Sequence, residues 1–562
     1  MATEPDRPWL SHYPPRLSPD LAIPNRRLPD LVEDSVRRHP KRTALIYYGA
    51  RWSYEQLWEA SGGFARALHQ EGFRPGDRLA LYLPNCPAYP IAYFGALRLG
   101  LTVVQVSPLY IEDDLVRLLD DAKPRGIVTL DILYPNLEKL AARVVVPVRY
   151  VARLREFYPF PQRLFVNLVL KRRGLPTRFP VDERVRPFAR ALKATGELPI
   201  VASDPASEVA VIQYTGGTTG QSKGAMLSHR NLVANALQCQ AWFSLDSREP
   251  IVVLAAIPFF HIYAMTVAMN YPLIDGGTLV LETRPEVDEI LRLIKKYRPT
   301  QFPGVPALYQ AIVHHKDVGK YDIRSIKVCV SGAAALPREV QRRFEELTGG
   351  YLVEGYGLTE ASPVTHANPI GGERRAGTIG LPFPSTYQRV VDLETGTRTL
   401  PVGEPGELTV RGPQVMLGYL GRPEESAQVL RDGWLFTGDI ATLDADGYAT
   451  IVDRKKDLID VGGLKVYPRE VEEVLFEHPA VQEAAVVGAA DEALGEVVRA
   501  FVVLKPGASA NAPELIAFVR GHIAHYKAPR TVEFVGELPK SGVQKVLRRV
   551  LRDAAAVPAP SS

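Results

Sequence analysis

Cysteine is scarce in this sequence, and net charge is low. The 562 residues include three cysteines, Cys86, Cys239 and Cys329, which are widely spaced and set among apolar residues. An odd number of scattered cysteines is typical of buried, reduced thiols rather than of a disulfide frame or a metal site, and it indicates a cytoplasmic protein. The net charge of +4 is small for this length, so we expect no nucleic-acid partner from bulk charge.

The sequence also lacks a long apolar run and a secretory leader. Its most apolar stretch, residues 251–265, is interrupted by Pro258 and His261 and falls short of the roughly 20 residues that a membrane-crossing helix needs. The first residues, MATEPDRPWLSHYPP, carry acidic residues and prolines where a leader would have a basic start and an apolar run. We therefore expect neither export nor a transmembrane anchor.

Alternating strand and helix signals fill the chain and predict an α/β fold. DRLALYLPN at 77–85 and EVAVIQY at 208–214 are short β-rich runs that end in turn residues, whereas residues 285–299 space apolar side chains along one helical face. Past about Asp453 the pattern starts afresh as helix, strand, loop and strand. We predict a large N-terminal domain of layered sheets and helices at 1–453, a small α+β domain at 454–562, and a disordered end at 554–562.

A glycine- and threonine-rich loop, YTGGTTGQSKG at 214–224, holds four glycines, three threonines and one lysine in eleven positions. A P-loop requires glycine before its lysine and Ser or Thr after it, but Ser222 precedes Lys223 and Gly224 follows it. The next helix also begins late, with Ser228 as its predicted N-cap and an apolar stripe on one face. We therefore predict a strand-loop-strand hairpin.

The chemistry of this loop suits a polyphosphate. Glycines let backbone amides approach phosphate oxygens, threonines add hydroxyl donors, and Lys223 adds a mobile positive charge. A flexible surface hairpin has the same composition, so the loop taken alone leaves both interpretations open.

Two further segments carry candidate ligands. EGYGLTEASPVTHANP at 354–369 places Glu360 after an apolar strand and a glycine-rich turn, and Mg²⁺ takes one or two such carboxylates together with substrate phosphates. In GWLFTGDIATLDADGYATIVDRKKD at 433–457, Asp439 follows a Thr-Gly corner and suits ribose hydroxyls, although a lone Asp in a turn is more often a cap. Asp446 and Gly447 predict a hairpin turn rather than a calcium loop.

Seven motifs follow one another in the order found in the AMP-forming acyl-CoA synthetases of the ANL adenylating superfamily, which the chain resembles from about residue 28 to 553. They are YTGGTTGQSKG at 214, IPFFHIYAMTVAMN at 257, SGAAALP at 331, EGYGLTE at 354, WLFTGD at 434, DRKKDLIDVGGLKVYPREVEE at 453 and LPKSGVQKVLRR at 538. PFFHIYAMTVAMN and YGLTEASPVTHANP are most similar to long-chain fatty acid–CoA ligases. Gln544 stands where the family usually has glycine, and Ser222 where proline is common.

The resemblance implies a ligase that uses ATP, Mg²⁺ and CoA to activate a fatty acid. Its implied catalytic residues are Lys545, Glu360 and His261, and its implied metal ligands are Glu360 and Thr215. The residues implied to bind ATP or AMP are Thr215, Gly216, Gly217, Thr218, Thr219, Gly220, Lys223, Gly332, Ala333, Gly355, Tyr356, Gly357, Thr359, Asp439 and Arg454.

The resemblance also implies that the C-terminal domain is mobile. Lys456 matches the hinge about which this domain turns between half-reactions, and Gly462, Gly463 and Lys465 match the loop that meets CoA. For the acyl tail, the implied residues are Phe260, Met265 and Met269, in an apolar slot built from residues 259–269, 302–308 and 333–335. The same apolar residues would equally suit a protein core, and the sequence does not give the depth of a slot.

Residues 149–193 are rich in arginine and lysine, and the apolar run LFVNLVL within them is framed by Arg163 and the triplet 171–173. Apolar patches edged with cations lie on anionic lipid, and solvated helix faces look similar. The sequence therefore leaves open a peripheral contact with the inner face of an anionic membrane.

Three alternatives to a long-chain ligase remain at this point. Two belong to the same superfamily: a ligase for medium-chain or aromatic acids, and an acyl-AMP ligase that passes its acyl group to a carrier protein. The third is a non-catalytic nucleotide-binding switch or membrane adaptor. The expected partners are fatty acid, ATP and CoA, and whether the protein forms a homodimer stays open.

Overall fold

The structure, a computed structural model, describes residues 6–215, 222–244, 250–540 and 546–555. The chain divides into two compact units. The larger unit comprises Leu10–Tyr387 and Arg411–Leu435, and the smaller unit comprises Met1–Trp9, Gln388–Val410 and Phe436–Ser562. This division does not test the predicted functional boundary between residues 453 and 454, which stays a prediction.

The strands are numbered in chain order. They are β1 (Thr43–Tyr47), β2 (Ala50–Ser53), β3 (Arg78–Tyr82), β4 (Thr102–Val106), β5 (Gly126–Leu130), β6 (Val148–Ala152), β7 (Val185–Pro187), β8 (Val209–Thr215), β9 (Lys223–Ser228), β10 (Val252–Ala255), β11 (Thr278–Leu281), β12 (Val328–Ser331), β13 (Tyr351–Gly357), β14 (Val364–Ala367), β15 (Leu381–Pro382), β16 (Tyr387–Val391), β17 (Gly406–Arg411), β18 (Gly418–Tyr419), β19 (Leu430–Arg431), β20 (Trp434–Leu443), β21 (Ala449–Arg454), β22 (Ile459–Val461), β23 (Leu464–Val466), β24 (Val481–Asp491), β25 (Gly495–Leu504) and β26 (Thr531–Phe534).

The α-helices are numbered in the same way. They are α1 (Leu28–Arg38), α2 (Tyr54–Gln70), α3 (Ala88–Arg98), α4 (Glu112–Ala122), α5 (Tyr134–Lys139), α6 (Gln162–Arg172), α7 (Phe188–Ala191), α8 (His229–Phe243), α9 (Ile262–Ala264), α10 (Tyr271–Ile274), α11 (Val287–Tyr297), α12 (Pro306–Val313), α13 (Arg338–Thr348), α14 (Pro423–Val429), α15 (Pro468–Glu477), α16 (Ala512–His522) and α17 (Arg548–Ala555). A π-helix at Met265–Asn270 joins α9 to α10. None of the helices in the described ranges combines the length and apolarity that a membrane crossing requires.

Three sheets form the framework of the larger unit. One has eight strands in the order β18-β9-β8-β4-β3-β5-β6-β7, and the others have the orders β10-β11-β1-β2 and β12-β13-β14-β15. The two smaller sheets are linked through Gln301, whose backbone bridges Val253 and Val328. Helices α11, α12 and α13 bury their apolar faces together with β10 and β12, as Ile294, Tyr309 and Phe344 show.

The smaller unit contains a sheet covered by helices on both faces. Its strand order is β23-β22-β25-β24, with β26 beside β25. Val471 of α15 and Val519 of α16 are buried in one core, and Leu551 of α17 is buried in another with Val487 and Phe501. A second sheet contains β16, β17 and β20 in that order, with β21 paired to β20.

The predicted mixed α/β fold is confirmed, and so are the predicted strands at β3 and β8, the helix at α11 and the β8–β9 hairpin. The turn at Asp446 and Gly447 joins the antiparallel strands β20 and β21, as predicted. Two expectations change. Helix α8 is buried almost all round rather than along one stripe, and Ala555, predicted to be disordered, is a buried residue of α17. Residues 556–562 lie outside the described ranges.

Candidate active site

The base of the glycine-threonine hairpin is an antiparallel pair in which Thr215 of β8 lies opposite Lys223 of β9. Ser228 ends β9 and caps α8, since its side chain accepts a hydrogen bond from the backbone of Asn231. A Cβ on Gly224 would lie 2.8 Å from Ile212, so the hairpin base is closely packed. The predicted ligands Gly216, Gly217, Thr218, Thr219 and Gly220 lie outside the described residues.

A third strand, β18, places the aromatic side chain of Tyr419 in contact with both Lys223 and Glu360. Tyr419 of β18 pairs with Ala225 of β9, and the Lys223 ammonium lies 5.2 Å from the centre of the Tyr419 ring. The Tyr419 hydroxyl donates a 2.7 Å hydrogen bond to Oε1 of Glu360. The chain from Lys223 through Tyr419 to Glu360 brings the hairpin lysine and the predicted metal ligand to one place.

Helix α14, which follows β18, supplies a carboxylate to the same lysine. Glu425 forms an ion pair with Lys223 and a second contact with Arg422 at 3.2 Å. The hydrogen bond from Lys223 lowers the pKa of the Glu425 carboxyl, so Glu425 is charged at neutral pH. Burial, together with the charge of Glu360, raises the pKa of Tyr419, which keeps its hydroxyl a proton donor.

Glu360 lies in a short 3-10 helix, Thr359–Ala361, directly after β13. Its backbone carbonyl accepts a 2.8 Å hydrogen bond from Met416, which ties this helix to the segment before β18. Within the described ranges, no three His, Cys, Asp or Glu side chains are grouped so as to hold a metal ion. A cation held by Glu360 would therefore need oxygen ligands from a bound substrate, as Mg²⁺ commonly does.

The residues predicted to flank adenine follow two neighbouring parallel strands. Ser331 of β12 lies opposite Glu354 of β13, so Gly332 and Ala333 follow the end of β12 beside the Gly355 and Tyr356 positions. The Gly332 amide donates to the Gly304 carbonyl at 3.1 Å. Ala333 has a φ of 72°, a left-handed conformation that a side chain disfavours.

The predicted glycine-rich turn before Glu360 is wrong, because β13 continues through Gly357. Its glycines permit close packing instead of a turn. A Cβ on Gly355 would lie 2.7 Å from Val330, and one on Gly357 would lie 2.2 Å from the Pro363 carbonyl oxygen. Thr359 and Glu360 therefore lie just after the end of β13.

His261 is the N-cap of α9, where its Nδ1 accepts a 3.3 Å hydrogen bond from the Tyr263 amide. The Tyr263 hydroxyl donates to the Val330 carbonyl of β12 at 2.7 Å, and a Cβ on Gly332 would lie 3.1 Å from the Tyr263 ring. The predicted carboxylate-site residue and the predicted adenine-site residue are thus linked through Tyr263.

The segment before His261 is fixed by polar side chains from other elements. Asn85 accepts from the Phe259 amide at 2.7 Å and donates to the Ile257 carbonyl at 2.8 Å. Gln213 of β8 donates to the Phe260 carbonyl at 3.1 Å. Because β8 also ends at Thr215, these bonds connect the predicted acyl segment to the hairpin base.

The predicted acyl-binding residues differ in exposure. Phe260 is partly buried, whereas Met265 and Met269 in the π-helix are completely buried. Met265 lies 3.0 Å from the Gln105 amide nitrogen. Their acyl-binding role stays a prediction.

The predicted ribose ligands Asp439 and Arg454 pair with each other in the smaller unit. They lie opposite one another on β20 and β21, with Arg454 Nε 3.2 Å from an Asp439 carboxylate oxygen. Asp439 is not in a corner, because β20 continues past it; Gly438, with a φ of 73°, provides the irregularity that the sequence suggested.

The predicted hinge residue Lys456 lies in a 3-10 helix, Lys455–Asp457. Its side chain is exposed, and its carbonyl accepts a 3.1 Å hydrogen bond from Arg552. Although the side chain as a whole is exposed, neighbouring groups partly desolvate its ammonium, and this desolvation, followed by the charge of Arg454, lowers the pKa of Lys456 to about 8. On either side, Lys455 pairs with Glu407 at 2.8 Å and Asp457 with Arg552 at 2.6 Å.

The predicted CoA loop is a two-residue hairpin turn. Gly462 and Gly463 join the antiparallel strands β22 and β23 with φ values of 60° and 87°, which are typical of a type I′ turn. Lys465 pairs with Asp460 at 2.5 Å, and Asp460 also accepts from the Gly463 amide at 2.7 Å. Both glycines are exposed, so backbone is accessible at this turn.

Lys545, the predicted catalytic lysine, lies outside the described residues. Lys540 and Val546, on either side of residues 541–545, form an antiparallel bridge. Just beyond, Arg548 donates to Glu472 at 2.6 and 2.8 Å and to Asp457 at 3.4 Å. This cluster fixes the start of α17 close to the hinge segment.

Sequence reasoning missed the contacts that Tyr419 and Glu425 make with predicted ligands. The segment GYLGRPEES at 418–426 carries one usable signal, a proline and two glutamates that predict the first turn of a helix. Nothing in it indicates pairing with β9, which depends on a strand about 190 residues earlier.

Comparison with known proteins agrees with the motif order. The family model described as AMP-binding enzyme matches residues 32–420, and that described as AMP-binding enzyme C-terminal domain matches residues 470–545. A curated long-chain-fatty-acid–CoA ligase of Bacillus subtilis is 45% identical over 97% of this chain and 97% of its own length. One of Escherichia coli O6:H1 is 39% identical over 97% and 98%.

Solved structures show the same architecture. ATP-bound MatB from Rhodopseudomonas palustris has a TM-score of 0.81 at 30% identity, covering 94% of this chain and 99% of that one. The anthranilate CoA ligase AuaEII in complex with anthranoyl-AMP has a TM-score of 0.78 at 27% identity, covering 96% and 99%. The likeness therefore extends over both units of the fold.

Proposed function

The chain belongs to the AMP-binding enzyme family, and from this premise we propose that it is a long-chain fatty acid–CoA ligase. In the first half-reaction a fatty acid carboxylate attacks the α-phosphorus of ATP, giving acyl-AMP and pyrophosphate. In the second, the CoA thiol attacks the acyl carbonyl, loses its proton and releases AMP. The ligases of Bacillus subtilis and Escherichia coli, similar over nearly the whole chain, support this activity.

One observation in the structure carries the proposal. Lys223 and Glu360 are 137 positions apart in the sequence, yet both contact Tyr419. A cation from a glycine-rich hairpin and a carboxylate after a strand end thus meet in one unit. This pairing suits a nucleotide triphosphate that arrives with a divalent cation.

The first half-reaction needs such cations because it brings two anions together. A carboxylate and a phosphate repel by about 4 kcal/mol per pair of unit charges at roughly 4 Å for an effective dielectric near 20. We assign the β- and γ-phosphates to Lys223 and the hairpin, and the α-phosphate and incoming carboxylate to Lys545. Fixed charges of this kind act by position, without reorganising during the reaction.

Glu360 is the residue that we propose for Mg²⁺, with Thr215 as a further oxygen ligand. One Glu360 oxygen accepts from Tyr419, and the second has no hydrogen-bond partner among the described residues, so it can take a cation. A magnesium ion bound there would neutralise charge on the phosphates. The single carboxylate fits the preference of Mg²⁺ for few protein ligands and several from substrate and water.

The remaining assignments follow the family. We propose that Gly332, Ala333, Gly355 and Tyr356 flank adenine, and that Lys456 is the hinge between half-reactions. Asp439 and Arg454 would contact ribose, and Gly462, Gly463 and Lys465 would contact CoA. Such hinge closure lets one site run two reactions in turn.

We propose a long acyl chain because the similar ligases of Bacillus subtilis and Escherichia coli act on long chains by name. His261 and the π-helix behind it would border the carboxylate and the tail. Each buried methylene contributes about 0.8 kcal/mol, so a deep slot favours long chains steeply. We also propose a cytoplasmic location, since all three cysteines are buried and unpaired and burial raises the pKa of Cys86 to about 12.

The test is a single assay with a panel of carboxylic acids. Purified protein receives ATP, Mg²⁺, CoA and one acid at a time, with chain lengths from short to long and with aromatic acids. Pyrophosphate, AMP and thioester are quantified together. Equal amounts of all three, greatest for long chains, are expected. Pyrophosphate and acyl-AMP without free AMP or thioester would indicate an acyl-AMP ligase, and no pyrophosphate release with any acid would refute ligase activity.

A further inference from the structure

Helix α6 connects β6 to β7, the last two strands at one edge of the eight-stranded sheet. A helix in such a connection ordinarily packs its apolar side on the sheet. In α6, all of whose residues are described, only Leu170 is buried. Leu164 and Phe165 are each 62% exposed, and Leu168 and Val169 are each 48% exposed.

Helix α4 of the same sheet shows the ordinary arrangement. It also has eleven residues and connects two parallel strands, β4 and β5. It buries Leu115, Leu118, Leu119 and Ala122. The exposed apolar side of α6 is therefore a property of that helix and not of the sheet's connections in general.

The exposed side chains form one face, which we name the α6 face: Leu164, Phe165, Leu168 and Val169. At about 100° per residue these four positions span roughly 140° of the helix circumference. Phe160, just before the helix, is 78% exposed and extends the apolar surface.

Cations border the α6 face. Residues 158–181 contain five basic residues, Arg163, Lys171, Arg172, Arg173 and Arg178, and no acidic residue. By helical spacing, Lys171 and Arg173 flank the apolar arc on opposite sides at its C-terminal end, and Arg172 continues its centre line. None of the five forms an ion pair with any other described residue.

Both ends of the segment are anchored. Phe157 before α6 is buried, with its ring 6.4 Å from that of Trp52. Phe179 after α6 lies 6.2 Å from Tyr134, and Arg153 lies over its ring at 5.1 Å. The α6 face is thus presented outward by a segment fixed to the sheet on each side.

We propose that the α6 face docks on a phospholipid membrane that carries anionic headgroups. The α6 face is the outer side of a single helix. When it lies on a membrane, its apolar side chains reach the boundary between headgroups and acyl chains, and the flanking cations stay among the phosphates. The absence of any acidic residue in residues 158–181 favours a negatively charged surface. This inference is independent of the proposed ligase activity.

The test measures binding of the full chain to vesicles in the absence of ATP and CoA. Vesicles of phosphatidylcholine with phosphatidylglycerol are compared with phosphatidylcholine alone. The variant K171Q/R172Q/R173Q is expected to bind the anionic vesicles about 100-fold more weakly, since each cation near such a surface contributes about fivefold. The variant F165S/L168S is expected to lose about tenfold, because it removes apolar area that enters the bilayer.

The matched control is R292Q/K295Q/K296Q, which removes the same charge from exposed positions of α11 and should bind like the unchanged protein. Circular dichroism confirms that each variant is folded. Unchanged vesicle binding in both α6 variants would overturn the proposal. A second result would also overturn it. In that case sedimentation velocity shows that the α6 face joins two copies of the chain, F165S/L168S dissociates them, and no variant binds vesicles.

Discussion

The Tyr419 hydroxyl lies 2.7 Å from Oε1 of Glu360, across 59 positions of sequence. The same ring lies under the ammonium of Lys223. Tyr419 therefore orients a carboxylate through its hydroxyl and meets a cation through its ring face, which is a favourable site for a positive charge.

Tyr419→Phe keeps the ring and removes the hydrogen bond to Glu360. A hydrogen bond to a charged group contributes about 1.5 to 3 kcal/mol, so we expect the rate of ATP-pyrophosphate exchange to fall about tenfold or more. The concentration of Mg²⁺ needed for half-maximal rate should rise, which a purely structural effect would not produce. Tyr150→Phe is the control, because the buried Tyr150 hydroxyl has no hydrogen-bond partner among described residues. Unchanged exchange in Tyr419→Phe would contradict the assigned role.

Glu425→Gln removes the carboxylate that pairs with Lys223. If phosphates of ATP take the place of this carboxylate, the variant should bind ATP more tightly, with KM for ATP lower by about twofold to fivefold, the scale of a partly exposed ion pair. The effect should be present at neutral pH, where Glu425 is charged. Glu424→Gln, at an exposed position of the same helix, is the control. A higher KM for ATP would show that Glu425 instead holds Lys223 in its working position.

Lys545→Ala should separate the two half-reactions. Loss of one contact to a reacting group commonly costs about 10² to 10³-fold in rate, so adenylation measured by pyrophosphate release should fall by that factor. Thioester formation from supplied acyl-AMP should change much less. Lys540→Ala tests specificity, since Lys540 belongs to the same motif but pairs with Glu483 at 2.7 Å. Equal losses in both half-reactions would refute the role given to Lys545.

Stability should fall as pH decreases below about 6.5, the unperturbed pKa of histidine, because of His229. This side chain is completely buried, and burial lowers its pKa, so the folded state holds it neutral. Its Nδ1 accepts from the Leu28 amide at 3.3 Å. Below that pH the unfolded chain takes up a proton that the folded chain does not, and the free energy of unfolding decreases by at most about 1.4 kcal/mol per pH unit.

The measurement is the thermal midpoint between pH 8 and pH 5 for the protein and for His229→Gln. The variant starts from a lower midpoint because packing is lost, but its slope between pH 7 and pH 5 should be smaller. Equal slopes would assign the acid sensitivity to other groups.

Arg548→Met should destabilise the smaller unit by about 3 kcal/mol. It removes the guanidinium that pairs with the buried carboxylate of Glu472, and leaving a buried charge without its partner is strongly unfavourable. Asp457 also loses a contact with Arg548 but keeps its ion pair with Arg552. Urea unfolding followed by circular dichroism measures the loss. Arg549→Met, at the next and exposed position, should cost little; a comparable loss in both variants would indicate an effect on α17 itself.

Local signals predicted the parts of the fold whose geometry depends on neighbouring residues. Ser228 caps α8, and Asp446 and Gly447 turn the β20–β21 hairpin, because side-chain caps and turn residues act within a few positions. The adenine-site motifs after β12 and in β13 came instead from the resemblance to the acyl-CoA synthetases. Strand length at β13 was misjudged, since glycines that permit close packing look like turn residues when the neighbouring strand is unknown.

Long-range pairing accounts for what the sequence did not predict. Lys223 pairs with Glu425 of α14, and Glu360 accepts a hydrogen bond from Tyr419 of β18; both partners lie far along the chain. The exposure of the apolar side of α6 could not be predicted from the sequence either, because the run LFVNLVL fits both a buried helix and an exposed one. Only the burial of individual residues on the sheet edge distinguishes these two states.

The pairing of Tyr419 with Ala225 makes chain length in the preceding segment a constraint on homologous or engineered sequences. Alternate residues of a strand point to opposite sides. An insertion of one residue between positions 412 and 418 that shifted this pairing would turn the phenol away from Glu360, whereas an insertion of two would return it. Loops elsewhere on the surface tolerate length changes of either parity, so this short stretch should vary only by even numbers.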